Sequence, residues 1–333
     1  MLIFMWQVSP MVSALLKVVV KMNIYRGKYK GLEGVILENE TIRLIVLPQL
    51  GAKIASLWYK PQNFEVFFQP TDGVFRLSQY GASFAEYDTA GADEMYPTID
   101  ACLYPDRGYS ARLPDHGDLW SIPWSVTAVE DQVLSCTQGQ SLPYDFKRVI
   151  TLGSSSVRLD YRVINTGDEA LYGLWAFHGL TACDENTRII LPEAGRVVNV
   201  HNSTMLGPAG TEHSFPLTVS SKGSTCCINR IKPKSARAAE KIYVKGRVKH
   251  GQAALTLNSN QLLYTLYFPK ETVPYLGVWI NQGGFKDEYN CALEPATGYY
   301  DSLEIAHRLN TLQAIAPGAA LEWYLIIDLE ALL

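Results

Sequence analysis

The sequence predicts an all-β protein, built as one large antiparallel β-sandwich with few short helices. Short apolar or alternating runs recur along the 333-residue chain, separated by turn residues such as Pro, Gly, Asn and Asp. Helical periodicity is scarce by comparison. No linker-like stretch divides the chain, so one large unit accounts for its length.

The predicted strands begin near the N-terminal end. Residues 42–47 read IRLIVL and residues 53–58 read KIASLW, with turn residues Pro48 and Gly51 between them. In 157–164, apolar residues alternate with Arg or Asp, which is typical of a strand with one buried and one wet face. Further strands are predicted at 124–130, 133–137, 146–152, 171–177, 188–191, 262–268, 275–280 and 321–329.

One helix and two irregular segments complete this outline. The helix is predicted at 302–312, with Asp301 or Ser302 as its N-cap. Residues 192–216 are polar and contain Gly and Pro, so we expect loops on the rim of the sandwich. Residues 230–250 hold eight lysines and arginines. A solvated loop or exposed strand face is favoured there over a site for an anionic sugar or polymer.

The composition bounds the function. Hydrophobic residues make up 47% of the chain, which allows a sizeable core, and the net charge of −4 argues against a nucleic acid or an anionic membrane as partner. The six cysteines show no metal-finger spacing, which indicates free thiols and a cytoplasmic protein. No phosphate loop or dinucleotide fingerprint is present, and we expect neither a cofactor nor a metal.

Residues 1–21 are predicted to be an N-terminal extension of uncertain role, before a domain at 22–333. The segment is apolar, with Lys17 and Lys21 at its far end, whereas a signal peptide carries its charge first. Pro10 would also interrupt a membrane-spanning helix.

Three motifs point to chemistry. They are PDHGDLW at 114–120, LWAFHG at 174–179 and LEP at 293–295. Glu294 ends an apolar run and precedes Pro295, which holds its backbone extended. An isolated Glu-Pro is more often a surface turn, but the accompanying His116 and His178 motifs favour a catalytic role for Glu294. A carboxylate on a rigid scaffold suits a general base, and imidazoles exchange protons near neutral pH.

In this order, the motifs resemble those of the aldose 1-epimerase (galactose mutarotase-like) superfamily, over about residues 25–329. The resemblance implies that family's β-sandwich and interconversion of the α and β anomers of a sugar without a cofactor. It implies Glu294 as general base, His178 as general acid, and His116 as the imidazole that binds the ring oxygen or an adjacent hydroxyl. The expected partner is a small-molecule sugar, and the expected assembly is a monomer or homodimer.

The predicted substrate contacts depart from the family pattern. Asp93 and Glu94 stand where galactose mutarotases carry an Asn-Arg pair, and carboxylates there would accept bonds from hydroxyls but repel a phosphate or uronate. This predicts a neutral monosaccharide, with a charged turn before a strand as the alternative. Further predicted contacts are Asp118, Gln282, Trp120, Trp175 and Trp279, of which Trp120 is the preferred stacking platform. Structural roles are assigned to His201, His213, His250 and His307.

Other functions remain open at this point. A carbohydrate-binding protein could keep the fold without turnover, although the Glu-His-His trio favours the epimerase. A lyase or hydrolase acting on glycosides is disfavoured because no helical catalytic domain is evident. A metal site formed by His116, His178, Asp93 and Glu294 is the weakest alternative, since the spacing is long-range.

Overall fold

The computed structural model describes residues 22–332 except 88, 107 and 193, so the predicted extension at 1–21 lies outside the described residues. The strands are β1 (Asn23–Tyr29), β2 (Leu32–Glu38), β3 (Ile42–Leu47), β4 (Lys53–Tyr59), β5 (Phe64–Glu65), β6 (Ala92–Met95), β7 (Cys102–Leu103), β8 (Arg112–Leu113), β9 (Ser125–Val129), β10 (Gln132–Gln138), β11 (Tyr144–Leu152), β12 (Ser156–Asn165), β13 (Ala176–Gly179), β14 (Thr181–Ala182), β15 (Arg188–Ile190), β16 (Arg196–Asn199), β17 (Glu212–Ser214), β18 (Leu217–Val219), β19 (Thr225–Cys227), β20 (Ala238–Val244), β21 (Gln252–Leu257), β22 (Leu262–Tyr267), β23 (Tyr275–Gln282), β24 (Tyr289–Ala296) and β25 (Ala320–Ala331). The helices are α1 (Leu303–Arg308) and the 3-10 turns Lys60–Gln62, Phe84–Glu86 and Lys234–Ala236.

Two large antiparallel sheets make up the sandwich. The larger sheet runs in the order β1-β2-β3-β4-β6-β13-β24-β23-β20-β16-β17, with β5 paired to β4 and β14 paired to β24. The smaller sheet runs β15-β21-β22-β25-β12-β11-β10-β9, and two short ribbons pair β7 with β8 and β18 with β19. The predicted all-β antiparallel sandwich is therefore confirmed. Among the described residues, no helix is long and apolar enough to cross a membrane.

Aromatic rings from both sheets meet in the core. Tyr161 of β12 and Trp323 of β25 stack with ring centroids 5.4 Å apart, and Trp175, just before β13, packs at 4.9 and 5.0 Å from them. All three side chains are buried. Such clusters bury large apolar areas and hold the two sheets together.

Most predicted strands form, and the differences have local causes. The run at 171–177 begins as a strand only at Ala176, because Leu171 pairs with Ile315 in a loop instead. The rim-loop prediction for 192–216 is wrong in part, since β16 and β17 extend the larger sheet there. The favoured interpretation of 230–250 is also wrong in part, because β20 is a buried inner strand of the same sheet.

The predicted helix exists but is short. α1 ends at Arg308 rather than near 312. Ser302 is the N-cap, and its side chain accepts a hydrogen bond from the Ile305 amide. Asn310 adopts a left-handed φ of 55°, which is a common way for a helix to end.

The strand registers decide which side chains share a face of the larger sheet. Residues opposite one another on paired strands point to the same face, and successive residues alternate. His178 of β13 lies opposite Asp93 of β6, while Glu94 points the other way, into the core. His178 and Glu294 are each two residues from the Ala176–Ala296 pair. They therefore share the face that points away from the smaller sheet.

The same rule extends this face across β23 and β20. Glu294 lies opposite Gly277, and Gly277 lies opposite Tyr243. Lys241 is two residues from Tyr243, so its side chain points to the same face as Glu294. Gly277 leaves room on this face for the Tyr243 ring, because a Cβ there would lie 3.1 Å from it.

Candidate active site

A cavity of about 280 Å³ opens on this face of the larger sheet. His178 comes from β13, Lys241 and Trp279 from neighbouring strands, and His116 and Phe84 from loops that fold over the sheet. Phe84, Trp279 and Phe285 form an aromatic wall beside the histidines and carboxylates. Such a mixture of aromatic and polar groups is typical of small-molecule sites.

Glu294 is fully buried and is not itself among the residues that line the cavity, but it adjoins two that are, His178 and Lys241. Its Oε2 atom is bonded to the Lys241 ammonium, and its Oε1 atom lies 3.9 Å from His178 Nε2. Within the described part of the chain, Oε1 has no hydrogen-bond partner. Burial raises the pKa of Glu294, the Lys241 charge opposes this, and the nearby Asp301 carboxylate adds to it. The carboxylate is held in place by one oxygen and can accept a proton on the other.

Asp301 follows β24 and supports Lys241 from the other side. Lys241 Nζ lies 3.5 Å from Asp301 Oδ1, which also accepts a 2.8 Å hydrogen bond from the Tyr243 hydroxyl. His201 Nε2 lies 3.3 Å from Asp301 Oδ2. Burial opposes the charge of Asp301, but Lys241 and these hydrogen bonds lower its pKa to about 2. Asp301 is therefore ionised across the physiological range.

His178 is buried between the sheet and the aromatic wall. Burial, followed by the positive charges of His116 and Lys241, lowers the pKa of His178 well below its ordinary value. Its Nδ1 atom has no hydrogen-bond partner among the described residues. At neutral pH His178 is thus an uncharged imidazole.

His116 is positioned by its own loop. Its Nδ1 atom lies 2.7 Å from Asp115 Oδ1, and Asp115 Oδ2 accepts a 2.8 Å bond from the Phe84 amide. The Phe84 ring stacks on the imidazole at 4.1 Å. His116 and Gly117 both have positive φ, and a Cβ on Gly117 would meet the Tyr96 carbonyl oxygen at 2.2 Å. The His-Gly dipeptide is therefore required by the turn.

Asp100, His201 and Asp301 are the group, within the described residues, whose side chains could hold a metal ion. One ligand atom from each lies within 4.8 Å of the others. The Lys241 ammonium already stands 3.5 Å from Asp301 Oδ1 and supplies a positive charge there. These three residues are not those of the metal site considered from the sequence, which consisted of His116, His178, Asp93 and Glu294.

Asp93 and Glu94 do not line the cavity, contrary to the sequence-based expectation. The Asp93 carboxylate is buried and bonded to the Lys53 ammonium. Glu94 points into the core, where Oε1 accepts 2.9 Å bonds from Arg148 and the Tyr161 hydroxyl. Both carboxylates compensate buried cations from within strand β6, so neither a sugar contact nor the alternative of a charged turn before a strand describes them.

Asp118 and Gln282 are also occupied elsewhere. Asp118 Oδ2 accepts bonds from the Ser141 amide and hydroxyl and the Tyr144 hydroxyl, at 2.9 to 3.0 Å. Gln282 Oε1 accepts a 2.6 Å bond from the Lys232 amide. Both predicted contacts are therefore corrected to structural roles that hold loops against the sandwich.

Of the three predicted stacking tryptophans, only Trp279 lines the cavity. Its indole N–H donates to Asn290 Oδ1 at 3.1 Å. Trp120 is buried behind Phe84, edge-on at 5.0 Å, and supports that ring from outside the cavity. Trp175 belongs to the core and donates a 2.8 Å bond to Glu94 Oε2. The preference for Trp120 is therefore wrong.

Sequence reasoning missed three residues that the fold brings to this site. His201 was given a structural role, yet it lines the cavity and pairs with Asp301. Lys241 was counted within a solvated basic segment. Asp301 was considered only as a helix cap. Alternation of Lys241 and Tyr243 along β20 was the available signal.

No protein-family model and no curated protein matches the chain. Solved structures match its fold. The Slr1438 protein of Synechocystis is 16% identical, with 98% of this chain and 100% of that chain covered and a TM-score of 0.67. A galactose mutarotase-like protein from Lactobacillus casei is 14% identical, with 89% and 100% covered and a TM-score of 0.61.

A galactose mutarotase related enzyme from Lactobacillus acidophilus is 13% identical, with 93% of this chain and 98% of that chain covered and a TM-score of 0.61. Identities this low concern the fold rather than the activity. The matches extend over nearly the whole of each chain, and the sheets described above are those of the predicted sandwich. The chain therefore has the galactose mutarotase-like fold, in agreement with the resemblance seen in its sequence.

Proposed function

We propose that the protein is an aldose 1-epimerase that interconverts the α and β anomers of a neutral monosaccharide. The observation that carries the proposal is the free acceptor oxygen of Glu294. This Oε1 atom is buried, lies 3.9 Å from His178 Nε2 and has no hydrogen-bond partner among the described residues. A buried carboxylate oxygen of this kind suits a base that awaits a hydroxyl proton.

The reaction needs one base and one acid. Glu294 takes the proton of the anomeric hydroxyl, the ring oxygen receives a proton, and the bond between C1 and the ring oxygen breaks to give the open-chain aldehyde. Rotation about C1–C2 exposes the other carbonyl face. Ring closure then returns both protons, so no atom is gained or lost and no cofactor is needed.

Two imidazoles can serve the ring oxygen. The lowered pKa of His178, the predicted acid, favours its neutral form, which donates a hydrogen bond but releases its proton reluctantly. The Asp115 carboxylate lies 2.7 Å from His116 Nδ1 and fixes the orientation of that ring. We therefore propose that His116 transfers the proton to the ring oxygen and that His178, the acid predicted from the sequence, polarises the ring oxygen by a hydrogen bond.

The charge of the cavity supports a neutral sugar, for a reason different from the one based on Asp93 and Glu94. Among the described residues, four carboxylates line the cavity against one lysine, Lys241; they are Asp100, Asp115, Glu288 and Asp301. A phosphate or uronate would meet these carboxylates at short range and be repelled. The volume of about 280 Å³ lies near the lower end of ligand pockets, roughly 300–1,000 Å³, and suits one sugar ring. We place the enzyme in the cytoplasm, as a monomer or homodimer.

A panel of freshly dissolved pure anomers tests this function. We expect the protein to accelerate the optical rotation change of at least one among glucose, galactose, xylose and arabinose, compared with buffer alone. Glucose 6-phosphate and glucuronate serve as matched anionic sugars and should react more slowly than the neutral sugar. Saturable binding without acceleration of any neutral sugar would instead support the carbohydrate-binding protein.

A further inference from the structure

We propose that Lys241 is a positioning residue, which holds the Glu294 carboxylate ionised and directs its Oε1 atom toward the substrate. The inference rests on the proposed function for the role of Glu294 as base. The placement of Lys241 is independent of that role, because it follows from the sheet and its buried contacts.

The two carboxylate oxygens of Glu294 have different neighbours. Lys241 approaches from β20 and contacts Oε2. Oε1 is left toward His178, which lines the cavity. Since a bonded carboxylate cannot rotate freely, the ammonium fixes which oxygen meets the sugar.

Lys241 is itself held on both sides, by Glu294 and by Asp301. Asp301 Oδ1 lies 3.5 Å from its ammonium and is fixed by the Tyr243 hydroxyl at 2.8 Å. His201 holds the other Asp301 oxygen at 3.3 Å. The lysine stem is buried, so its charge acts in surroundings that screen it weakly.

Charged and titratable groups face Glu294 from each of the elements around it. His178 faces it from β13, Lys241 from β20, and Asp301 from the segment after β24, while His116 acts on it from the overlying loop. Burial and Asp301 both favour the protonated acid. Lys241 is the ammonium in contact with Glu294 and favours the carboxylate that a base requires.

Lys241→Met is expected to change the pH profile and not only the rate. Removing an adjacent opposite charge raises a carboxyl pKa by about 1–3 units. The acid limb of the kcat/KM profile should move to higher pH by that amount. At pH values below the shifted limb, kcat/KM should fall by roughly 10–1,000-fold, and it should recover at higher pH. Lys241→Arg, which keeps the charge, should restore most of the wild-type profile. A rate loss in Lys241→Met that is equal at all pH values would overturn the proposal.

A readout independent of activity separates this inference from the proposed function. In protein with ¹³C-labelled glutamate carboxyls, the Glu294 signal is assigned by its absence in Glu294→Gln. Its titration should move upward in Lys241→Met. If wild type failed to accelerate any anomer exchange, the proposed function would fail while this titration still decided the role of Lys241. An unchanged Glu294 titration in an active enzyme would refute the role of Lys241 alone.

Lys241→Met leaves two buried carboxylates with less positive charge and could fail to fold. A second comparison avoids this loss of charge balance. It sets the single variant Asp301→Asn against the double variant Lys241→Met/Asp301→Asn, which removes one charge of each sign. The Glu294 titration should lie higher in the double variant than in Asp301→Asn. Equal titrations in the two variants would contradict the proposal.

Discussion

Glu294→Gln is expected to lower kcat for anomer interconversion by about 10²–10⁴-fold, the contribution of one positioned acid–base group. Glutamine keeps the shape of the side chain and an oxygen for the Lys241 ammonium. It removes the basic Oε1, which lies 3.9 Å from His178 Nε2. KM should change little, because the residues that line the cavity remain. The measurement is polarimetry on the best sugar of the panel.

Glu240→Gln is the matched control for this variant. Glu240 is a buried carboxylate next to Lys241 in sequence, but it alternates to the other face of β20 and does not line the cavity. Its activity should stay near that of wild type. If Glu294→Gln kept more than about a third of wild-type kcat, far above the acid–base range, Glu294 would not be the base.

Glu94→Ala is expected to destabilise the fold by about 3–5 kcal/mol, the usual effect of removing one partner of a buried ion pair. The Arg148 guanidinium is buried and would lose its 2.9 Å bond to Glu94 Oε1. The Tyr161 hydroxyl and the Trp175 indole would lose their acceptors as well. Urea denaturation should show the loss as a lower midpoint.

The substrate affinity of folded Glu94→Ala should remain close to that of wild type, because Glu94 does not line the cavity. Glu304→Ala, at an exposed helix position, controls for the loss of a carboxylate and should leave the midpoint nearly unchanged. An unchanged urea midpoint together with a raised KM would return Glu94 to the binding site.

The sandwich was predictable because its strands carry local signals. The alternation in 157–164 and the apolar run at 42–47 became β12 and β3. The proximity of His178 and Glu294 followed only from a family resemblance. Its physical origin is the pairing of β13 with β24, residues more than a hundred positions apart.

The sequence-based predictions that were wrong concern residues whose partners lie far away in the chain. Asp93 and Glu94 look like surface carboxylates until Lys53 and Arg148 reach them from other strands. Lys241 lies in a basic segment whose charge indicates solvent, and only the sheet order shows that it is buried. Local sequence patterns carry no information on such pairings. They therefore could not show which of these charged residues lie in the core and which lie at the cavity.

The central claim is ring opening by proton transfer to Glu294, and oxygen labelling tests it most directly. Anomer exchange is followed by NMR in H₂¹⁸O with wild type and Glu294→Gln, on the best sugar of the panel. Since ring opening leaves the C1–O1 bond intact, we expect fast exchange with wild type, no label at C1 beyond the uncatalysed level, and loss of the acceleration in Glu294→Gln. Incorporation of one solvent oxygen per inversion, or equal acceleration by the variant, would contradict the account.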